Sequence, residues 1–348
     1  MVENMANYAT IRLDVLVPGG RDDRVDYAAG VPSPGDRGHA PVNFHALAAA
    51  TGGGFHVEVQ TIAADKQAVL VLIPRRVDRA LAAVRKLKSR GHWVLCTWKE
   101  CGEHQIAANM THFGNQTAFT KLRALVDVWL AASPAARAVY ATWPQPLRTL
   151  DLPTPYPLDL PDWDFSVPLA KRSGIFIGTR EWNVPSRRHA ETLKLTTSLV
   201  KQFPGTRVTC IAHGGLLGRI KTYWAGRSMG GLRVLAPMPY AEYLRNMAKH
   251  RLVLQRDESG VPGQIAGDSV LTGTPCLGGN GEIDRLVFSH LPNASDSVES
   301  VIVSATQLLS DDRGWHSAVA ISREKAHQLA SFSAFRNAFR AAWLARQP

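Results

Sequence analysis

The first 142 residues of the chain alternate between short apolar runs and amphipathic stretches. Residues 68–74 and 92–98 are mostly apolar runs with the length and β-branched content of buried strands. Between them, residues 78–90 place their apolar side chains on one side of a helix. This alternation predicts βαβ units and a mostly parallel sheet. The same reasoning predicts strands at residues 12–18, 55–62 and 138–142, and helices at 43–51, with Asn43 as N-cap, and at 116–131.

Proline interrupts this pattern, with seven prolines between residues 143 and 168. Because proline fixes φ and lacks a backbone donor, the stretch is incompatible with a helix or a central strand and predicts an interdomain linker. Beyond it the alternation restarts, which predicts a second parallel α/β domain. The predicted strands there are 174–178, 207–212, 232–236, 252–255 and 275–278, and the predicted helices are 189–202, 240–249, 263–271, 295–309 and 322–344.

The predicted architecture is two Rossmann-like α/β domains that face each other across a cleft. We place the N-terminal domain at residues 1–142, the linker at 143–170 and the second domain at 171–320. A C-terminal helix at 321–348 carries aromatic residues on one face, so we expect it to pack back on the body. Ligands of parallel sheets bind outside the carboxyl ends of the strands, which makes the cleft the expected active site.

Bulk composition excludes several classes of protein. The chain has 348 residues, of which 45% are hydrophobic and 20% charged, so it is long enough for two domains and too apolar to be disordered. The first ten residues lack the basic and then apolar order of a signal segment, and no apolar run is long enough to span a bilayer. Four scattered cysteines show no metal-site spacing and fit a reducing cytoplasm, or a host cytoplasm if the chain is phage-encoded.

Positive charge is concentrated in the second half of the chain, whose total net charge is +11. Residues 1–164 hold 17 basic and 16 acidic side chains, whereas residues 171–256 hold 16 basic and three acidic ones. Within the second region, residues 219–227 interleave cations with aromatic side chains. That composition suits a nucleic-acid backbone, a membrane surface or a solvated face. The charge therefore predicts an anionic ligand or partner for the second domain.

The clearest chemical signal lies between residues 252 and 281. A predicted strand runs into Asp257 and Glu258, and a glycine-containing turn then opens a helix at Gly263. The backbone N–H groups of Gly263 and Gln264 are predicted at the helix N-terminus, which suits a phosphate group. Asp268 lies in the middle of the same helix, where its carboxylate is suited to accept hydrogen bonds from a ribose diol.

This segment resembles the donor-binding signature of GT-B-fold glycosyltransferases, in particular the large family 4-like group (glycosyltransferase group 1). In that signature, two carboxylates separated by a Gly-rich turn precede a Gly-Thr-Pro strand entry, matched here by residues 273–275. The resemblance implies that Asp268 holds the nucleotide ribose and that Glu258 lies near the donor sugar. The family usually has Glu where Asp268 stands, and the gap from Glu258 to Asp268 is two residues longer than usual.

Neighbouring segments extend the resemblance. Residues 174–180 are similar to the first strand and loop of the family's C-terminal domain, where a cation meets the diphosphate, and this implies that role for Arg180. Residues 235–240 resemble the segment whose backbone borders the nucleobase, which places Met238 in the donor site. The family implies a nucleoside-diphosphate sugar as co-substrate and no obligatory metal.

Other polar residues of the second half have two readings each. Arg219 or Lys221 is a candidate for a second phosphate cation, or a surface cation. His213 follows a predicted strand, so it lines the donor site or belongs to a structural turn. Residues 162–164 have the Asp-x-Asp form of a metal-dependent sugar-nucleotide site, but they lie in the predicted linker with no strand before them, and we interpret the match as coincidence.

In the N-terminal half, residues 98–105 follow a predicted strand and enter a short helix. They place Glu100 and His104 near the predicted cleft, as candidates for acceptor binding or for the general base that an inverting transferase needs. A capping cluster at the helix start is an equal alternative. Asp22 and Asp23, which follow a Gly-Gly pair, form a further acceptor-side candidate.

Together these features predict an enzyme, a glycosyltransferase that moves a sugar from a nucleoside-diphosphate sugar to a hydroxyl acceptor. The acceptor is a glycan, a lipid or a small molecule, or a hydroxymethylated DNA base as in the phage DNA glucosyltransferases, which share this fold. Two alternatives stay open: a non-catalytic GT-B-like protein that binds nucleic acid or a partner, and a sugar-nucleotide epimerase, which consumes the donor without an acceptor.

Overall fold

The computed structural model describes residues 11–36, 40–64, 67–143, 147–178, 181–211, 215–229 and 231–346. The chain forms two compact units, which are described separately. The first comprises residues 1–159 together with 330–348, and the second comprises residues 160–329. The residues predicted as a linker are thus divided between the two units, and the last helix belongs to the first unit rather than to the second.

The first unit is built on a seven-stranded sheet in the order β2-β3-β1-β4-β5-β6-β7. All its strands are parallel to their neighbours except β2, which pairs antiparallel with β3. The strands are β1 (Leu13–Leu16), β2 (Val25–Asp26), β3 (Gly54–His56), β4 (Ala68–Ile73), β5 (Trp93–Trp98), β6 (Val128–Leu130) and β7 (Thr149–Leu150), and the helices are α1 (Phe44–Ala49), α2 (Val77–Ser89), α3 (Glu103–Met110), α4 (Phe113–Arg123) and α5 (Pro134–Ala141).

The centre of this sheet is buried on both faces, as its apolar sequence predicts. Every residue of β4 and β5 is buried. Helix α2 covers one face with its apolar side. In the same core the ring of Phe119 stacks on Trp98 and meets Trp129 edge-on, with ring centroids 5.3 Å apart in each pair. This layer holds the first unit together, because fully buried aromatic side chains contribute most to such cores.

Several predictions for this unit are wrong. The helix predicted at 116–131 ends at Arg123, because Val128–Leu130 pairs with β5 instead, a long-range contact that local periodicity does not contain. The strand predicted at 138–142 is the end of α5, whose first turn is capped by the Ser133 hydroxyl. Residues 59–61 form a 3-10 turn rather than a strand, and Asn43 makes no side-chain cap bond to α1.

The second unit has a five-stranded sheet, parallel throughout, in the order β10-β9-β8-β11-β12. This is the 3-2-1-4-5 order of a Rossmann-like fold. Helix α6 and the strands agree with the predicted pattern, but α7 and the first half of α12 were not predicted. The strands are β8 (Ile175–Ile177), β9 (Val208–Ile211), β10 (Leu232–Leu235), β11 (Leu252–Leu254) and β12 (Cys276–Leu277), and the helices are α6 (His189–Gln202), α7 (Gly215–Met229), α8 (Tyr240–Met247), α9 (Gln264–Leu271), α10 (Glu282–Val287), α11 (Val298–Ser310) and α12 (Asp312–Leu329).

The last helix, α13 (Phe332–Leu344), starts a new element at Ser331, whose hydroxyl caps it. The single helix predicted over 322–344 is therefore two helices. The aromatic stripe of α13 is buried against the first unit: Phe339 and Trp343 contact Trp93, and the Arg336 guanidinium donates to the Ala50 carbonyl at 3.0 Å. The end of the chain is thus part of the core of the first unit.

All four cysteines are free and buried, so none of them presents a reactive thiol at a surface. Among the described residues, no helix is both long enough and apolar enough to cross a membrane.

Candidate functional site

A cavity of about 160 Å³ lies at the carboxyl ends of the central strands of the second sheet. Its lining includes Phe176 and Ile177 of β8, Ile211 of β9 and Gln255 directly after β11. The strand order reverses between β8 and β11, and ligands of parallel α/β folds bind at such a reversal. The topology therefore makes this cavity the candidate ligand site of the second unit.

The turn that opens α9 forms one wall of the cavity. Gly263 has a left-handed φ of 90° at the N-cap of α9 and lines the cavity with Gln264. A Cβ on Gly281 would lie 2.6 Å from the Gly263 Cα, so two backbone segments meet here at a distance that only glycine permits. The helix N-terminus is thereby fixed against the start of α10, as a phosphate-binding turn requires.

Asp268 lines the same cavity from one turn further along α9. Its side chain is almost fully buried, and the hydroxyl of Tyr240 on α8 donates a hydrogen bond to Asp268 Oδ1. A buried carboxylate is costly unless its oxygens accept hydrogen bonds. The position is therefore suited to a ligand that brings hydroxyl donors to this wall.

Arg187 is a cavity residue that the sequence analysis missed. It ends the 3-10 turn Pro185–Arg187 before α6, where its guanidinium forms ion pairs with Asp257 and Glu181 and donates to Ser259 Oγ at 2.8 Å. Burial lowers the pKa of Arg187, but the two carboxylates more than offset this, so its pKa is raised overall. The sequence feature that could have indicated Arg187 is its position after the first strand of the domain, where the sequence analysis considers only Arg180.

The two adjacent carboxylates after β11 have different surroundings. Asp257 is buried, lines the cavity and accepts hydrogen bonds from the backbone and the hydroxyl of Ser259. Glu258 is exposed and forms an ion pair with Arg188, and it is absent from the cavity lining. The carboxylate that the sequence assigned to the donor sugar, Glu258, is therefore outside the cavity, and its neighbour is inside.

Other predicted residues of the second unit either lie outside the described residues or are absent from the cavity lining. Arg180 and His213 lie outside the described residues, as does the side chain of Arg219. Met238 is half-buried, and its sulfur accepts a hydrogen bond from the Asn246 amide. Lys221 is exposed on α7.

The acceptor-side candidates belong to the first unit. Glu100 follows β5 and pairs with Arg75, with 3.3 Å between the Arg75 Nε and a Glu100 carboxylate oxygen. His104 is exposed in the first turn of α3. The Asp22 carboxylate accepts a hydrogen bond from Lys99 Nζ at 3.2 Å, and this contact brings the loop after β1 to the end of β5. Polar groups therefore gather at the carboxyl ends of β1 and β5.

Metal ligation has no candidate in the described ranges, where no group of three or more His, Cys, Asp and Glu side chains comes together. The Asp-x-Asp match begins in the 3-10 turn Pro161–Trp163, and Asp164 pairs with Arg323 at 3.2 Å. The Asp164 carboxylate is therefore occupied in a structural contact.

Asp284 is a buried carboxyl that lines the cavity. It accepts hydrogen bonds from the Gln255 amide at 2.9 Å and from the Gly281 backbone at 3.1 Å. Burial, reinforced by the negative charge of Asp257, raises the pKa of Asp284 to about 7. The Asp284 carboxyl is therefore uncharged in mildly acidic solution and charged in alkaline solution.

We expect this carboxyl to make the unfolding free energy depend on pH. Between the ordinary Asp pKa of 3.8 and the folded pKa of about 7, the unfolded chain has lost a proton that the folded chain retains. The stabilisation is complete below the first value and is lost as pH rises to the second, by on the order of 1 kcal/mol per pH unit. Urea unfolding from about pH 5 to about pH 8 measures this decline. Asp284→Asn should flatten it, and identical pH profiles of the two proteins would contradict the assignment.

Comparisons with known proteins identify the fold. No protein-family model and no curated protein matches the chain. Among solved structures, sucrose-phosphate synthase from Thermosynechococcus elongatus matches with a TM-score of 0.62 at 12% identity, over 97% of this chain and 98% of the other. A UDP-forming trehalose-phosphate synthase from Burkholderia xenovorans matches with a TM-score of 0.59 at 12% identity, over 81% and 74%. The structure of Anabaena HepE in complex with UDP and glucose matches with a TM-score of 0.60 at 11% identity, over 82% of this chain and 80% of the other.

These structures are glycosyltransferases of the GT-B fold, and likeness at such low identity shows the fold. The chain therefore has a GT-B fold with two Rossmann-like sheets, which confirms the predicted fold class and the fold implied by the resemblance.

Proposed function

We propose that the chain is a glycosyltransferase that moves a sugar from a nucleoside-diphosphate sugar to a hydroxyl acceptor. The observation that carries the proposal is the cavity at the β8/β11 reversal, which combines a helix N-terminus, a buried carboxylate and a mostly buried guanidinium. Phosphate is suited to the first and third of these groups, and a ribose diol to the second. The named ligand of the similar Anabaena structure, UDP with glucose, supports a nucleoside-diphosphate donor.

In this proposal each cavity residue has one role. Asp268 accepts hydrogen bonds from the ribose hydroxyls, and the start of α9 at Gly263 and Gln264 meets the diphosphate. Arg187 takes the role of a phosphate cation, in addition to the candidate Arg180. Asp257 replaces Glu258 as the carboxylate nearest the donor sugar.

Transfer breaks the bond between the sugar C1 and the diphosphate oxygen while the acceptor oxygen bonds to C1. Negative charge grows on the departing diphosphate, and a fixed guanidinium and backbone N–H groups stabilise it without reorganisation. The acceptor hydroxyl must lose its proton, and Glu100 and His104 remain our candidates for that base or for acceptor binding. The chemistry assigned to these residues needs no resident metal.

The acceptor class is the finer part of the proposal. A glycan, a lipid or a small molecule is the first version, and a hydroxymethylated DNA base is the second. Four free cysteines, all buried, support a reducing cytoplasmic setting. A non-catalytic binder and an epimerase are the rival functions that the experiment must separate.

A panel of nucleotides and sugar nucleotides tests the donor site. We expect UDP or another nucleoside diphosphate to raise the melting temperature, since saturation to about 100 times Kd adds about 2.7 kcal/mol to the unfolding free energy. The matching sugar nucleotide should then release nucleoside diphosphate only when an acceptor is added. A chain that no nucleotide stabilises would contradict the proposal. Binding without release would favour the non-catalytic protein, and a changed sugar still attached to its nucleotide would favour the epimerase.

A further inference from the structure

Helix α7 presents large apolar side chains to solvent. Leu216, Ile220, Tyr223 and Trp224 are 74%, 43%, 57% and 62% exposed. Their spacing of four, seven and eight residues from the first places all four on one stripe of the helix. Soluble helices normally bury such a stripe, so this one marks an interaction surface.

The opposite side of α7 explains why the stripe stays outside. Gly218, Thr222 and Ala225 are buried under the helix, and the Thr222 hydroxyl donates to the Gly218 carbonyl at 2.7 Å. Small side chains allow the helix to lie close to the sheet and leave no space there for a ring as large as that of Trp224. Among the α7 side chains that the structure describes, small ones thus lie inside and large apolar ones lie outside.

The surroundings of the stripe are strongly cationic. Residues 192–241 contain no Asp or Glu. Lys221 and Arg227 are exposed on α7, and Arg233 is exposed on the neighbouring edge strand β10. The Arg227 guanidinium also donates to the Tyr223 hydroxyl at 3.2 Å, which ties a cation to the aromatic part of the stripe. The seven basic residues of this acid-free stretch are Lys194, Lys201, Arg207, Arg219, Lys221, Arg227 and Arg233.

We propose that α7 docks the chain onto an anionic lipid bilayer, lying in the plane of the headgroups. Leu216 and Ile220 enter the acyl boundary, Tyr223 and Trp224 lie at the interface, and the cations meet lipid phosphates. Duplex DNA would satisfy the cations but offers no apolar surface to the aliphatic side chains. A second copy of the same surface would cover the stripe but would bring two cationic regions together. The bilayer is the occupant that satisfies both the apolar and the charged parts.

Vesicle flotation tests the proposal with the full chain and no nucleotide. We expect binding to phosphatidylcholine vesicles that contain phosphatidylglycerol, at least about tenfold tighter than to phosphatidylcholine alone. Replacing the apolar pair, Ile220→Ser with Trp224→Ser, should reduce binding to both vesicle types by about tenfold or more. Replacing the cations, Lys221→Glu with Arg227→Glu, should remove only the preference for the anionic vesicles. Val303→Ser, a matched substitution at a 66% exposed aliphatic residue of α11, should change neither.

Three results would overturn the proposal. The first is a wild-type chain that does not float with anionic vesicles. The second is salt-sensitive binding of duplex DNA that is tighter than binding to vesicles. In that case the double substitution of the cations would abolish DNA binding, and the double substitution of the apolar residues would leave it intact. The third is a chain that binds no lipid but forms a dimer at micromolar concentration, and whose dimer dissociates when the two apolar residues are replaced. The flotation assay contains no nucleotide, so its result does not depend on the donor site. A failure of vesicle binding therefore leaves the nucleotide-binding test unaffected, and a failure of nucleotide binding leaves the flotation test unaffected.

Discussion

Replacing Arg187 by methionine should weaken the binding of UDP by about 100-fold and lower the unfolding free energy by about 3 kcal/mol. The affinity loss follows from the proposed role, because a hydrogen bond between charged groups contributes about 1.5–3 kcal/mol, and one such bond from Arg187 to the diphosphate accounts for a loss of this size. The stability loss follows from the structure alone. Asp257 is buried, and among the described residues no cation other than Arg187 forms an ion pair with its carboxylate. Isothermal titration with UDP and urea unfolding measure the two effects.

A double variant separates these effects. Arg187→Met with Asp257→Asn removes both charges of the buried pair, so most of the lost stability should return, while UDP affinity stays low. Arg251→Met supplies a matched control: that side chain is also mostly buried and pairs with a carboxylate, Asp312, but it lies outside the cavity lining. It should lose stability and keep UDP affinity. An Arg187→Met protein that binds UDP as well as wild type does would refute the diphosphate role.

The alternation of elements was readable from the sequence because parallel strands are short, apolar and bounded by glycine or proline. Helix α6 agrees with the predicted range at both ends. Errors occurred where pairing partners are distant, as for Val128–Leu130, or where packing reverses the usual pattern, as in α7. Local periodicity cannot show that the large apolar side chains of a helix face solvent, because the same spacing is expected of a buried stripe.

The candidate site was predictable in outline and not in detail. Asp268, Gly263 and Gln264, which the sequence singles out between residues 252 and 281, all line the cavity, and their donor-binding roles remain predictions. The choice between Asp257 and Glu258 depends on which carboxylate the chain turns inward after β11, and that direction is set by Ser259 and Arg187 from another loop. Sequence spacing carries no information on such a contact, and for the same reason Arg187 itself was missed.

Replacing Asp268 by alanine should weaken UDP binding by about 100-fold, since the buried carboxylate is proposed to accept two hydrogen bonds from the ribose. The sharpest measurement varies the ligand together with the protein. A UDP analogue that lacks both ribose hydroxyls should bind wild type about 100-fold more weakly than UDP does, and Asp268→Ala should bind the two ligands equally. Asp268→Asn keeps the shape of the side chain, so its discrimination between the two ligands should lie between that of wild type and that of Asp268→Ala.

Two neighbouring substitutions provide the controls for Asp268. Tyr240→Phe removes only the hydroxyl that donates to this carboxylate and should cost about 1 kcal/mol of stability with little change in discrimination between the ligands. Glu258→Ala changes an exposed carboxylate paired with Arg188, so it should leave UDP affinity within about twofold of wild type. If Glu258→Ala abolishes UDP binding and Asp268→Ala does not, the two carboxylates have exchanged roles. The ribose would then lie on the β11 side of the cavity rather than along α9.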